Sequence, residues 1–196
     1  LVVVEPVSVL PVLAGITEGA GEAWRRRMSF KAIALSAIVC LVFAAAGTAL
    51  LGILGISVDA SKVGGGILLF LLAIEMVFAR PSGARSITPV EDAEAHHRVD
   101  ISVFPLAFPL ISGPGALAVI LLAFAGVPVV SLQFAAQIGV ILLVLAITLA
   151  LMLVTGPVMR VVGVTGGAVL GRLLGVLLAA LAAQFVMDGI RGAMGA

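Results

Sequence analysis

Tyrosine is absent from this 196-residue sequence, tryptophan and cysteine occur once each, and only 11% of the residues are charged. Each shortage excludes something. The single cysteine, Cys40, rules out a disulfide framework, a CxxC redox pair and a thiolate metal cluster. It also argues against carriers that shuttle thiols through a cysteine pair. Eleven basic against ten acidic side chains give a formal net charge of +1, so no polycationic surface is offered to nucleic acid. A soluble domain of this size holds roughly 45–50% apolar and ~25% charged residues. Here the apolar share is 62% and the mean hydropathy +1.32. A soluble globular domain and a disordered tail are both excluded, and the class is integral membrane protein.

What is abundant decides which kind. No charge falls between Ala32 and Val58 or between Ile101 and Met159. A membrane helix needs ~20 apolar residues and a barrel strand only ~10 with strict alternation. These runs are unbroken rather than alternating, so the fold class is all-α. Plentiful Gly and Ala suit close helix packing, because lipid gives apolar helices no hydrophobic reason to associate. Six spans are expected: Leu1 to about Thr17, Phe30 to Leu54, Val63 to Phe78, Ile101 to Ala125, Val129 to Thr155, and Val169 to Ile190. The first lacks the basic start of a signal peptide and is expected to be cut short at its outer end. Arg25, Arg26, Arg27, Lys31, Arg80, Arg85, Arg98, Arg160 and Arg172 fall on one side of this arrangement, and only Lys62 and Arg191 on the other. The basic side is read as cytoplasmic, which places both termini outside.

Two halves of the chain echo each other. Pro6 and Pro11 repeat as Pro109 and Pro114, shifted by 103 positions. The stretch from Gly66 to Glu75 repeats from Gly175 to Gln184, shifted by 109. Residues 1–79 and 101–196 then form two three-helix repeats joined by a cytoplasmic linker at 80–100. Three spans is an odd number, so the second repeat is inverted, as in many secondary transporters.

The first and fourth spans each carry paired prolines, in Glu5-Pro6-Val7-Ser8-Val9-Leu10-Pro11 and in Pro105 to Gly115. Proline removes an amide and clashes with the preceding turn. Both spans are therefore expected to break into half-helices. Unwound backbone at membrane depth is tolerated where it is buried or lines a cavity. The positive end of a half-helix suits a carboxylate, and Gly113 and Gly115 allow close approach. Structural kinks are the alternative reading. Glu75 lies within the third span, where a carboxylate costs ~2.5–3.5 kcal/mol on insertion scales and usually faces the bundle interior. An interfacial position near Arg80 is equally open. Gln184 is its repeat counterpart, and Gln133 and Gln137 lie one turn apart near the start of the fifth span. His96 and His97 sit in a charged loop whose pattern is that of a solvated segment, so no metal site is assigned. No Ser-His-Asp set, HExxH or phosphate-cradling motif occurs, and no enzymatic activity is expected.

Four segments together resemble the MarC family of bacterial and archaeal inner-membrane proteins, grouped with neutral amino acid transporters and near the LysE-type exporters. They are Glu5 to Pro11, Gly55-Ile56-Ser57 with Val63 to Phe70, Phe104 to Ala116, and Arg172 through Gln184 to Ile190. The family often has Asn or Asp where this chain has Glu5, and a polar residue at Val9. The resemblance implies a six-span fold and transport of small neutral amino acids of the glycine and alanine class, without cofactor, coupled to protons or sodium. An exporter of other small metabolites and a non-transporting or stress-associated membrane scaffold are the alternatives. The expected substrate-binding residues are Glu5, Pro6, Ser8, Ser112, Gly113, Pro114 and Gly115, with Glu75 and Gln184 as coupling candidates. The expected partners are the amino acid and the lipid bilayer, with homo-oligomers left open and nucleic acid excluded.

Overall fold

A computed structural model describes residues 4, 6–17, 19–78 and 100–195, and within its helices the side chains of residues 7, 8, 161, 162, 164 and 165 are not described. The described residues contain seven helical segments and no strand: α1 (Pro6–Ile16), α2 (Glu22–Ile53), α3 (Val58–Phe78), α4 (Ser102–Ile111), α5 (Pro114–Phe124), α6 (Leu132–Leu153) and α7 (Thr155–Met194). Four helices are long and apolar enough to cross a bilayer, and five spans result if the bent pair α4 and α5 counts as one. α1, with 11 described residues, covers about half of a ~30 Å hydrocarbon core at 1.5 Å per residue. The linker at 80–99, with His96 and His97, lies outside the described residues.

Two boundaries differ from the sequence reading for identifiable reasons. α2 starts at Glu22 rather than Phe30, because Arg25–Arg27 extend the helix instead of ending it. Arg26 donates to Glu22 one turn back at 2.9 Å, a favourable helical spacing. α7 starts at Thr155 and bends at Gly163, whose φ of 62° only glycine adopts readily.

Among the described residues of the first span, no break falls between Pro6 and Ile16. α1 runs without interruption from Pro6 through Pro11. Losing one internal hydrogen bond at Pro11 is tolerated when neighbouring helices cover the site. Val9, Leu13 and Ile16 are buried there against Met28, Ala32, Leu106, Leu145 and Met152.

α2 shows how small residues set the packing. Its buried positions Ala32, Ser36, Cys40, Ala44, Gly47 and Leu51 recur every three or four residues, making one narrow stripe along the helix. That stripe meets α4, α5 and α6. α3 and α7 form the most extensive pair, antiparallel and close. A side-chain carbon at Gly66 would lie 2.7 Å from Val186 Cγ2 and 2.9 Å from the Ala182 carbonyl, and one at Gly175 would lie 2.8 Å from Met76 Cβ. Near the other end, Gly189 abuts Asp59, Lys62 and Val63. α5 packs on α3, and α1 packs on α7 and α6.

Candidate functional site

The fourth span is broken. α4 is a wide helix with two extended residues, Phe104 and Phe108, each ahead of a cis proline. Proline pushes the preceding residue out of helical geometry, and the two X-Pro pairs do so twice within one span. Ser112 and Gly113 then separate α4 from α5, and the two helices meet at a bend of 56°. Gly113 is extended, with ψ at 171°. A side-chain carbon there would collide with the Pro109 carbonyl oxygen, so only glycine fits. Pro114 opens α5, where its missing amide costs nothing. The next two amides, of Gly115 and Ala116, have no carbonyl one turn back within the helix. Gly113 has no side chain with which to cap them.

A cavity of about 110 Å³ opens at this break, lined by Leu68, Leu71, Leu72 and Glu75 of α3, by Leu110 and Ile111, and by Gly113 to Ala116. Glu75 is therefore half-buried in the cavity wall, on the same cavity as the α5 amino end. Among the described lining residues this carboxylate is the one charged group, and the remaining side chains are apolar. The amino end of a helix carries roughly half a positive charge, so the cavity presents opposite polarities.

Of the residues expected at the site, Gly113, Pro114 and Gly115 line this cavity. Ser112 does not: it is fully buried, donates to the Ser36 carbonyl at 3.3 Å, and lies 3.6 Å from Cys40 Sγ. Its hydroxyl faces α2 rather than the cavity. Pro6 is buried at the start of α1, and no described residue of α1 is in the lining. Glu5 and the Ser8 side chain lie outside the described residues. Gln184 is exposed on α7 and donates to Asp188 at 2.8 Å, away from the cavity. Gln137 donates to the Ala123 carbonyl at 2.8 Å, satisfying the last turn of α5.

The sequence reading missed two residues. Asp100, read as part of a solvated loop, accepts from Lys31 Nζ at 2.6 Å and from the Ser102 amide at 3.0 Å. It thereby ties the start of α4 to α2. The bonds from Lys31 and Ser102 hold its carboxyl at a pKa of about 2. Ser36 is the other; its signal was the polar spacing Ser29, Ser36, Cys40 along one face of an apolar helix.

The MarC family of integral membrane proteins matches the chain over residues 1–194. Among curated proteins, a UPF0056 membrane protein of Methanocaldococcus jannaschii is 34% identical over 98% of this chain and 92% of its own. The UPF0056 inner membrane protein YhgN of Escherichia coli is 30% identical over 97% and 92%. The UPF0056 membrane protein YvbG of Bacillus subtilis is 31% identical over 95% and 88%. No solved structure matches at a significant level.

Proposed function

The chain belongs to the MarC family of integral membrane proteins, and on that premise we propose that it is a secondary transporter of small neutral amino acids in the inner membrane. The observation that carries this reading is the cavity in which Glu75 shares a wall with the amino end of α5. A zwitterion needs donors for its carboxylate and an acceptor for its ammonium group. The amides of Gly115 and Ala116 supply the first, and the Glu75 carboxylate supplies the second.

Size supports the glycine and alanine class. An engineered cavity of ~150 Å³ takes benzene, with six heavy atoms. At about 110 Å³ the present one suits a ligand of about four to five heavy atoms on that scale, the low end of the amino acids. The leucines leave no polar partner for a longer, functionalised side chain. Glu75 is thus given a binding role beside its coupling role, and Ser112 a role in holding the break against α2. Glu5, Pro6 and Ser8 remain proposed members of the corresponding half-site, with Gln184.

We read the architecture as two inverted repeats within six spans, both termini outside. The helix pairings support a two-fold relation: α3 meets α5 as α7 meets α1, α2 meets α5 as α6 meets α1, and the pairs α3 with α7 and α2 with α6 lie across the axis. Gly66 faces Val186, while Gly175 faces Val77, reciprocal positions under the 109-residue shift. α1 and α5 are both 11 residues long and both begin on proline as described. Pro6 therefore matches Pro114 at a shift of 108, which agrees with 109 better than the match of Pro6 to Pro109.

The test is uptake into liposomes by the purified protein, across a panel from glycine to leucine under imposed proton or sodium gradients. Glycine and alanine are expected to enter and leucine to be excluded, and Glu75→Gln should cut uptake at least tenfold. If Glu75→Gln folds and transports at the unaltered rate, the cavity is not the site. If no member of the panel moves, the scaffold alternative replaces the transport reading.

A further inference from the structure

The side of the break that faces α2 has a chemistry of its own. Ser112 apart, the other buried hydroxyls among the described residues are accounted for locally. Thr17 donates to the Leu13 carbonyl at 2.6 Å, Ser29 to Arg25 at 3.0 Å, Thr148 to Val144 at 2.8 Å, and Thr155 to Met152 at 2.7 Å. This back-bonding is the usual resolution for a hydroxyl on a buried helix face. Ser36 departs from it. Its side chain is fully buried, and its Oγ makes no hydrogen bond among the described residues. A buried hydroxyl without a partner costs roughly 1–3 kcal/mol, and Ser36 lies at the middle of α2, at the depth of the break.

Two further oxygens belong to the break itself. The Ser112 hydroxyl reaches the Ser36 carbonyl at 3.3 Å. The wide ladder of α4, in which the Leu106 amide bonds to Ile101 and the Ser112 amide to Ala107, cannot extend to the Pro109 carbonyl, because Pro114 has no amide. That carbonyl lies directly against Gly113. The carboxyl end of a helix carries partial negative charge, and α4 ends here.

From this set we infer that the α2 side of the break binds a sodium ion through Ser36 Oγ, Ser112 Oγ and the carbonyls of Ser36 and Pro109. All four are hard oxygen donors, which suit a hard cation. None carries a formal charge, which favours a monovalent ion over a divalent one that needs carboxylates. The two ends of the broken span then sort charge, with the α5 amides toward the substrate carboxylate and the α4 carbonyls toward the cation. This deepens the transport reading, on which its physiological role rests, by naming the coupling ion and its ligands. Cys40 Sγ, 3.6 Å from Ser112 Oγ, is the one soft atom beside the set.

The test needs no amino acid. The melting midpoint of the purified full chain is compared in sodium, lithium, potassium and choline chlorides at equal ionic strength. At sodium tenfold above its dissociation constant the folded state gains an elevenfold factor, a rise of roughly 3–6 °C for a chain of this length. Potassium and choline should give no such rise. Ser36→Ala removes an unsatisfied hydroxyl, so its midpoint in choline should equal or exceed that of the unaltered protein, while its sodium response disappears. Cys40→Ser exchanges the sulfur for a hard oxygen and should lower the half-saturating sodium concentration. Equal midpoints in all four salts, a full sodium response in Ser36→Ala, or no gain in Cys40→Ser would each overturn the inference. A sodium response without amino-acid uptake would keep the ion site and sink the transport reading; uptake with no sodium response would do the reverse.

Discussion

Gly66→Ala tests one of the close crossings of α3 with α7. The added carbon would meet Val186 Cγ2 at 2.7 Å, the Ala182 carbonyl oxygen at 2.9 Å and the Val186 amide nitrogen at 3.0 Å. Two of these three are backbone atoms, which cannot rotate away. Relaxed contacts sit near 3.5 Å or beyond, so α7 must move from α3 by about 0.7 Å over this turn. Overpacking of that kind costs roughly 1–3 kcal/mol. Replacing glycine by alanine inside a helix returns about 1 kcal/mol, so the absolute effect of the substitution is muted. Gly64→Ala separates the two terms. Gly64 lies on the exposed face of the same helix, with nothing within 4 Å of an added carbon. Propensity cancels between the two variants and the crossing remains. At 2 kcal/mol the midpoints should differ by roughly 4–8 °C, Gly64→Ala melting higher. Fluorescence-monitored melting in one detergent would measure it. Midpoints within 1 °C of each other would refute the reasoning, since a crossing set by Gly66 cannot absorb a methyl group freely.

Three other outcomes follow from named contacts. Asp100 has a folded pKa lowered from 3.8 to about 2, so its contribution to stability is complete above pH 3.8 and fades as pH falls through 2. Asp100→Asn should therefore lower the melting midpoint at pH 7, and the gap from the unaltered protein should close in strong acid. Gly113→Ala is expected to fail to fold or to lose the break, because the Pro109 carbonyl blocks the new carbon, whereas Gly47→Ala meets only the movable tip of Leu121 at 2.6 Å and should cost under about 1 kcal/mol. For topology, cysteines placed at Ser82 and Ser131 in a Cys40→Ala background should label from opposite sides, Ser131 from outside; labelling of Ser82 in intact cells would reverse the assignment.

Much of the fold could be read in the residues because lipid leaves helices few options. The charge-free run from Ala32 to Val58 had to be a helix, and the Phe-Pro pairs at 104–105 and 108–109 had to disturb the fourth span. The break itself was legible from Ser112-Gly113-Pro114-Gly115, where proline suits a helix start and glycine a close approach. Side-chain direction was not legible. Ser112 lies in the same motif as Gly113, yet an extended residue at the junction turns its hydroxyl toward Ser36 and Cys40 on α2. Pro11 misled for a different reason. One proline inside a helix costs a single hydrogen bond, whereas the fourth span carries two Phe-Pro pairs and then the Ser112-Gly113 junction. Glu75 could be placed on α3 but not in the cavity, because its neighbours there, Gly113 to Ala116, come from 38 or more positions along the chain. Such contacts are set by the pairing of α3 with α5, which no local pattern announces.

The proposed register changes what the two halves have in common. With Pro6 matched to Pro114, Glu5 corresponds to Gly113, and with the 109-residue shift Glu75 corresponds to Gln184. Each proposed half-site then holds one carboxylate, and both come from the first repeat: Glu75 on the third helix, set against glycine at the break of the second repeat, and Glu5 at the proline motif, set against an amide on the last helix of the second. A symmetric site with acids at Glu75 and at position 184 would gather two negative charges on long helices, and a ligand could dock in either of two orientations. The observed distribution breaks that symmetry. Gln184 cannot ionise, and its amide is turned to Asp188; on the proposed reading, the cavity at Glu75 is therefore the half-site that pairs one acid with glycine backbone. An inverted repeat that alternates between two sides needs equal framework and unequal chemistry. On the proposed inverted-repeat reading, the reciprocal glycines at 66 and 175 provide the first, and the exchange of acid for amide between 75 and 184 provides the second.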